Sequence, residues 1–99
     1  MNALMGPAET ILDAFASHRL IGLVSDADPS LDEDGAYAIA HDIHAHRVLR
    51  GEKPVGRKIG FTNRAIWVEY RVSAPIWGHV YDSTVHFAAR GKARLDVAT

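Results

Sequence analysis

The sequence predicts an α+β fold in which two helices precede a few short strands. Two long segments, residues 7–20 and 30–50, carry apolar residues at helical spacing. Two later segments, residues 55–61 and 79–87, have the alternation or the β-branched and aromatic content of strands. With 99 residues the chain is long enough for one small domain, residues 1–99. Because two strands seldom form a stable sheet alone, we expect this domain to be incomplete.

The first helix is predicted over residues 7–20. Pro7 suits its first turn, where the missing N–H costs no hydrogen bond. We expect Gly22 to end the helix. Residues 23–30, LVSDADPS, should form a connector because they contain Asp, Pro and Ser, which favour turns. The apolar stripe of the helix consists of Ala8, Ile11, Leu12 and Phe15.

The second helix is predicted over residues 30–50. Ser30 and Glu33 have the spacing of a capping box, in which a hydroxyl and a carboxylate satisfy free backbone N–H groups. Gly51 is expected to stop the helix. The histidine-rich stretch 41–47, HDIHAHR, has pairs of potential metal ligands at helical spacing. These pairs point in different directions, so we interpret the stretch as a solvated helix face rather than a zinc site.

After a turn at residues 51–54 comes the first strand, predicted over 55–61. Three further elements are expected in order: a short helix over 62–72 capped by Thr62 or Asn63, a loop over 73–78, and a strand over 79–87. The aromatic side chains of this half of the chain are expected to pack in a core or an interface, since a net charge of −1 gives no basic patch for stacking on nucleic acid.

Lys58 lies in the middle of the first predicted strand, with Gly56 and Gly60 on either side. Since side chains alternate along a strand, these three residues share one almost bare face with Thr62. Glycine in a strand often marks the close approach of a ligand or of another backbone. Two interpretations stay open: the face is a hollow in which Lys58 binds a small anion, or it is a strand edge with Lys58 in water.

Composition excludes several function classes. The net charge of −1 offers no global attraction for nucleic acid or for an anionic membrane. The absence of cysteine excludes disulfides and thiolate zinc sites. The N-terminus lacks the pattern of a signal peptide, and no run of about 18 apolar residues could span a membrane. We therefore expect a soluble cytoplasmic protein without nucleic-acid or membrane partners.

Two motifs resemble a known enzyme family. The stretch GRKIGFTN, residues 56–63, resembles the G-x-K-I-G-x-T element of the 2-keto-4-pentenoate hydratases, which with the 4-oxalocrotonate decarboxylases belong to the fumarylacetoacetate hydrolase superfamily. The similarity extends back from this stretch through the second predicted helix as far as residue 34. It reappears in APIWGHVYDSTV, residues 74–85, and covers roughly residues 31–85. The resemblance implies the start of a β-rich domain of that superfamily, here truncated.

The resemblance also implies an activity and its residues. Family members are lyases that use Mg²⁺ or Mn²⁺ and act on 2-hydroxy-dienoate or 2-oxo acids in the breakdown of aromatic compounds. Lys58 matches the family's catalytic lysine, and Asp82 matches the first of two adjacent acids, as an acid/base or water-orienting group. The second acid is replaced by Ser83. Gly60 and Thr62 are the candidate substrate-binding residues, although Thr62 also suits a helix cap.

No metal ligand is predicted within the chain. The family's paired glutamates lie shortly after the segment that matches ARLDVAT, residues 93–99, and Asp96 matches no ligand. We therefore expect an N-terminal portion that does not bind Mg²⁺ tightly alone and that self-associates or depends on a missing C-terminal segment. The alternatives are a non-catalytic fragment or interaction module, and a 4-oxalocrotonate-type decarboxylase.

Overall fold

A computed structural model describes residues 5–96 of the protein. Its α-helices and β-strands are, in chain order, α1 Pro7–Ser17, α2 Val24–Ala27, α3 Glu33–Leu49, β1 Pro54–Gly60, α4 Trp67–Tyr70 and β2 Ile76–Tyr81. A 3₁₀ turn, Arg64–Ile66, leads into α4, and another, Asp82–Thr84, follows β2. The predicted α+β class is confirmed. In the described part of the chain, no helix is both long and apolar enough to cross a membrane.

Helix α1 ends one turn earlier than predicted. His18 adopts a left-handed conformation with φ of 53° and closes the helix, and the Arg19 N–H donates to the carbonyl of Ala14 at 3.1 Å. The prediction that Gly22 ends the helix is therefore wrong. The predicted connector over residues 23–30 contains α2, a single helical turn that is preceded by Leu23 in an extended conformation.

Helix α3 begins with an Asp cap rather than with the predicted capping box. The Asp32 carboxylate accepts a hydrogen bond from the Gly35 N–H at 2.8 Å. The Ser30 hydroxyl instead donates to Asp28 at 2.6 Å, in a local turn that precedes the helix. Because Asp28 uses that hydroxyl, Ser30 caps nothing. At the other end Gly51 has φ of 101°, which agrees with its predicted role as the stop.

Strands β1 and β2 form an antiparallel pair. Lys58 lies opposite Gly78, and Arg57 lies opposite His79, with an irregularity in the register between Pro54 and Gly56. The second strand begins earlier than predicted, because Gly78, at the end of the predicted loop over 73–78, is extended and paired with Lys58. Beyond Tyr81 the chain turns into the 3₁₀ segment, so most of the predicted strand over 79–87 is not strand.

The segment after β1 folds around Phe61. This residue has φ of 54°, so strand alternation ends at Gly60 and does not place Thr62 on the face of Lys58. The Phe61 carbonyl accepts a hydrogen bond from the Trp67 indole at 2.7 Å. Asn63, one of the two predicted caps, accepts from the Ala65 N–H at 3.0 Å. The short helix is thus confirmed over a narrower range than predicted.

Few side chains of the described residues are buried. Ala8, Ala14 and Tyr81 are the only ones, and α1 packs against α3 without forming a closed core. Several large apolar side chains are almost fully exposed, among them Leu20, Val68 and Phe87 at 99%, 89% and 93%. The radius of gyration of 16.1 Å exceeds the ~13 Å expected for a compact domain of this length. The described chain thus leaves apolar surface uncovered.

Replacing each of the two candidate cap residues should show which of them caps α3. Asp32→Ala should lower the free energy of unfolding by about 0.5–2 kcal/mol, because it leaves the Gly35 N–H without its acceptor. Ser30→Ala is the matched control and should change it by less than about 0.5 kcal/mol. Urea unfolding followed by far-ultraviolet circular dichroism measures both free energies. A larger loss of stability in Ser30→Ala than in Asp32→Ala would show that Ser30 caps the helix after all.

Candidate functional site

Lys58 lies on the face of the sheet that points away from α3. Its cross-strand partner is Gly78, and with Gly60, Ile76 and Val80 it lines a shallow hollow of about 380 Å³. The Lys58 side chain is exposed, and among residues 5–96 it forms no hydrogen bond or ion pair. The lysine therefore stands on an open surface of the described chain.

The glycines around Lys58 leave this face bare. A Cβ atom added to Gly56 or to Gly78 would meet no other atom within 4 Å. One added to Gly60 would touch the Ile76 side chain at 3.4 Å, which is close but ordinary contact. Neither Gly56 nor Gly78 has a positive φ. Within the described structure, then, neither backbone conformation nor packing requires glycine at these two positions.

Asp82 joins the end of β2 to the start of β1. Its Oδ1 atom accepts a hydrogen bond from the Lys53 N–H at 3.0 Å, and its own N–H donates to the Lys53 carbonyl at 2.9 Å. Asp82 also lines a second hollow of about 470 Å³, which shares Val80 with the hollow of Lys58. The structure therefore places Lys58 and Asp82 in separate, adjoining hollows, and Thr62 lines neither.

Ser83 anchors a half-buried carboxylate. Its hydroxyl donates to Glu52, which also accepts from Arg47 at 3.1 Å and from Arg50 at 2.6 Å. The hydrogen bonds from Ser83 and Arg50 hold the pKa of the Glu52 carboxyl below its usual range. The residue that replaces the second acid of the family motif thus ties the 3₁₀ segment to the end of α3.

The opposite face of the sheet is closed by a group of rings that sequence reasoning missed. We call it the ring cluster, and it comprises Tyr37 and His44 of α3 and Trp77, His79 and Tyr81 of β2. The imidazoles of His44 and His79 stack with their centroids 3.8 Å apart. His44 Nδ1 and the Tyr81 hydroxyl share a hydrogen bond of 2.7 Å. Tyr37 stacks on Trp77 with the ring centroids 5.9 Å apart. The Tyr37 hydroxyl accepts a hydrogen bond from the backbone N–H of Trp77 at 3.2 Å.

Two arginines cover the ring cluster from its ends. The Arg47 guanidinium lies 4.9 Å from the Tyr81 ring centre, and that of Arg57 lies 4.8 Å from the Trp77 ring. Burial raises the pKa of the Tyr81 hydroxyl, so this group stays protonated. Burial, and then the positive charges of His44 and Arg57, lower the pKa of His79.

A sequence signal for this cluster exists. Rings at positions 77, 79 and 81 have strand alternation, and positions 37 and 44 are two helical turns apart. The expected solvation of residues 41–47 is wrong for His44, which is half-buried and bonded to Tyr81. The signal was hidden because the strand was predicted to begin at residue 79, which left Trp77 in a loop.

The described residues do not fit a divalent metal ion. Among residues 5–96, no group of three or more histidine or carboxylate side chains is placed to hold one. Two acids beside the ends of the strands are already engaged, Glu52 by two arginines and Asp82 by the backbone of Lys53. The Mg²⁺ or Mn²⁺ implied by the family resemblance therefore finds no ligand set here.

Comparison with known proteins gives consistent matches over most of the chain. No family model matches it. It is 34% identical over 85 residues to a 2-keto-4-pentenoate hydratase from Burkholderia vietnamiensis, which covers 86% of this chain and 32% of the relative. It is 42% identical over 60 residues to a 4-oxalocrotonate decarboxylase from a Pseudomonas species. This match covers 54% of this chain and 23% of the relative. The resemblance to the hydratase and decarboxylase group is confirmed. The chain spans about a third of the length of its curated hydratase relative.

Solved structures of the same group share the fold described above. The 4-oxalocrotonate decarboxylase from Pseudomonas putida G7, complexed with calcium and acetate, matches with a TM-score of 0.73 and 33% identity. The match covers 77% of this chain and 29% of that one. A second structure of that enzyme, complexed with magnesium and adipate, gives a TM-score of 0.72. Divalent metals thus accompany the fold in these neighbours of the group.

The hydroxyl of Tyr81 can be tested for its contribution to the ring cluster. Tyr81→Phe should lower the free energy of unfolding by about 0.5–1.5 kcal/mol, because it removes the hydrogen bond to half-buried His44. Tyr70→Phe is the matched control, since Tyr70 is 58% exposed and its hydroxyl makes no hydrogen bond to residues 5–96. Urea unfolding of both variants is the measurement, and equal effects would show that the bond contributes nothing.

Proposed function

We propose that this chain carries the lysine-bearing part of a hydratase-type lyase for 2-hydroxy-dienoate and 2-oxo acids, in the breakdown of aromatic compounds. The reaction is the addition of water to 2-hydroxypenta-2,4-dienoate to give 4-hydroxy-2-oxopentanoate. The observation that carries the proposal is Lys58 on a bare, glycine-lined sheet face, in a chain similar to the hydratases. We further propose that it is one incomplete domain, residues 1–99, of a cytoplasmic enzyme.

Lys58 has the chemistry that such a substrate needs. An ammonium group beside the 2-oxo acid offsets the negative charge that develops as the enolate forms, and it is a possible proton donor. This interaction grows stronger in the transition state than in the ground state, so it raises kcat. The open space over Gly56 and Gly78 admits a flat, small acid against the strand, and Gly60 borders the same hollow.

Asp82 and Thr62 have supporting roles in this proposal. Asp82 Oδ1 is held by the Lys53 N–H, which fixes the carboxylate so that Oδ2 can orient water or accept a proton. Thr62 lies outside both hollows of residues 5–96, so the proposal gives it a substrate hydrogen bond only beyond the end of β1. Ser83 engages Glu52 instead of supplying a second acid, so the proposal uses a single carboxylate from this segment.

The metal of the family enters the proposal only through the longer relatives. Residues 5–96 contain no suitable ligand set, and the resemblance assigns the paired glutamates to sequence beyond the matched stretch. Mg²⁺ or Mn²⁺ is thus a cofactor of the complete domain.

Mg²⁺ added to this chain alone should show no tight binding, because the family's glutamate ligands are absent from it. Isothermal calorimetry at neutral pH measures the affinity, with Ca²⁺ as the comparison ion. A dissociation constant for Mg²⁺ in the micromolar range would show that ligands exist within these 99 residues.

A 4-oxalocrotonate-type decarboxylase is the second candidate. The decarboxylase relative has the higher identity, 42%, although over a shorter stretch than the hydratases. Both candidates use Lys58 on the same face, so only turnover of the two substrates separates them. A non-catalytic interaction module is the remaining alternative, and it predicts turnover of neither substrate by the completed domain.

Assembly is part of the proposal, because the described chain leaves much apolar surface in water. Val55, Ile59 and Trp77 of the sheet are 57%, 59% and 43% exposed. The chain should therefore self-associate or require the rest of the domain as a partner. Light scattering across a concentration series tests this, and a monodisperse monomer that unfolds cooperatively would contradict it.

The role of Lys58 is testable in a chain completed with the metal-binding segment of a hydratase relative. Lys58→Ala should lower kcat for 2-hydroxypentadienoate by at least ~10²-fold, the scale of a positioned acid–base or electrostatic group. Lys58→Arg should restore little, because a planar guanidinium does not replace a compact ammonium. Steady-state kinetics of folded variants provides the measurement.

Arg57→Ala is the control on the opposite face of β1. It removes the contact with Trp77 and should leave turnover nearly unchanged once circular dichroism shows the variant to be folded. Normal turnover in Lys58→Ala together with lost turnover in Arg57→Ala would reverse the assignment of the faces.

A further inference from the structure

Helix α3 is attached to the sheet by rings rather than by aliphatic side chains. Its links to β2 are the His44–His79 stack, the His44–Tyr81 hydrogen bond and the pair formed by Tyr37 and Trp77. Of these residues only Tyr81 is buried, with 7% of its surface exposed, so water reaches the edges of the contact. Two of the rings are imidazoles, whose charge changes near neutral pH. The attachment therefore contains titratable groups at its centre.

We propose that the stacked imidazoles of His44 and His79 make the attachment of α3 to the sheet sensitive to acid, so that proton uptake by the pair releases the helix from β2. The contact geometry supports this. Centroids 3.8 Å apart place the two rings face to face, and two imidazolium ions at that separation repel each other strongly. The neutral pair has no such penalty.

The surrounding charges make the protonated pair unfavourable. His79 lines a cleft of about 660 Å³ together with His41 and Arg47 of α3, and Asp34 is the one carboxylate that lines this cleft. From β1, Arg57 is the cross-strand partner of His79. Glu52, after α3, is neutralised by Arg47 and Arg50, while Tyr81 is uncharged. Arg57 therefore adds a positive charge beside His79 that no ion pair in residues 5–96 offsets, and Asp34 is the one carboxylate of the cleft.

The hydrogen bond between His44 and Tyr81 does not oppose the release. When Nδ1 of His44 carries no proton, the Tyr81 hydroxyl donates to it, and when Nδ1 carries a proton, the ring N–H donates to the hydroxyl. The bond thus tolerates either charge state of His44. The stack is unfavourable when both rings are protonated, because two imidazolium ions in contact repel each other. The protonation that the fold opposes is therefore that of His79.

The direction of the pH effect follows from His79. Its pKa in the folded state is lowered by burial and by the positive charges of His44, Arg57 and His41. The released state, in which His79 has its ordinary pKa, therefore binds more protons at acidic pH. The attachment is fully stable above the ordinary pKa, about 6.5, and weakens as pH falls from there toward the lowered value.

Nuclear magnetic resonance of the ¹⁵N-histidine-labelled chain tests the proposal from pH 8 to pH 5. The expected result is an apparent midpoint for His79 below 6.5, with loss of the nuclear Overhauser contacts between His44 and Tyr81 and between Tyr37 and Trp77 over the same interval. Contacts between α1 and α3 should persist, since they lie outside the ring cluster. Ring-cluster contacts that stay unchanged down to pH 5 would overturn the proposal.

Two variants separate the pair from general acid unfolding. His79→Phe keeps a flat ring for stacking but cannot take up a proton, so the Tyr37–Trp77 contacts should persist to pH 5. His79→Gln serves the same purpose if the larger phenyl ring disturbs the fold. His86→Gln, in an exposed residue beyond β2, should keep the wild-type midpoint. A wild-type transition in both His79 variants, or its loss in His86→Gln, would contradict the assignment.

Discussion

The described structure depends on the hydrogen bond of 2.7 Å between His44 of α3 and Tyr81 at the end of β2. Tyr81 is the one large side chain that is buried, at 7% exposure, and Arg47 covers its ring. The next residue, Asp82, holds the backbone of Lys53 through two hydrogen bonds. Helix, second strand and first strand thus meet at two consecutive positions of the chain. A small protein with few buried residues relies on such specific contacts more than on apolar burial.

The two faces of the sheet have different fates because strand side chains alternate. Odd-numbered positions of β2 carry the rings that hold α3, whereas the even-numbered positions lie with Lys58 on the open side. Arg57 and Lys58 are neighbours in sequence, yet one covers Trp77 and the other faces open space. The alternation therefore separates the part of the sheet that holds the fold from the part to which we assign chemistry.

Sequence patterns predicted the features of this fold that follow from local periodicity. They missed the features that depend on pairing between distant residues. Both main helices, the strand around Lys58 and its bare face follow from local periodicity, which needs no knowledge of neighbours. The limits of β2 did not follow, because Gly78 is a strand residue only through its pairing with Lys58. The cap of α3 also depended on competition, since Asp28 binds the hydroxyl of Ser30 that the capping box required. The ring cluster joins residues about 40 positions apart, whose contact no local pattern specifies.

A sheet of two strands has consequences at its edges as well as on its faces. Within the described residues β1 and β2 pair only with each other, so each presents an outer row of backbone N–H and C=O groups. Such rows are templates on which another strand can add, whether it comes from the same chain, from a second copy or from an aggregate. Arg57 and Lys58, in the middle of β1, place a positive charge on each face of the sheet beside this edge. These charges disfavour the unspecific addition of apolar strands. The same two charges leave strand addition open to acidic segments, whose carboxylates would neutralise them as the sheet widens.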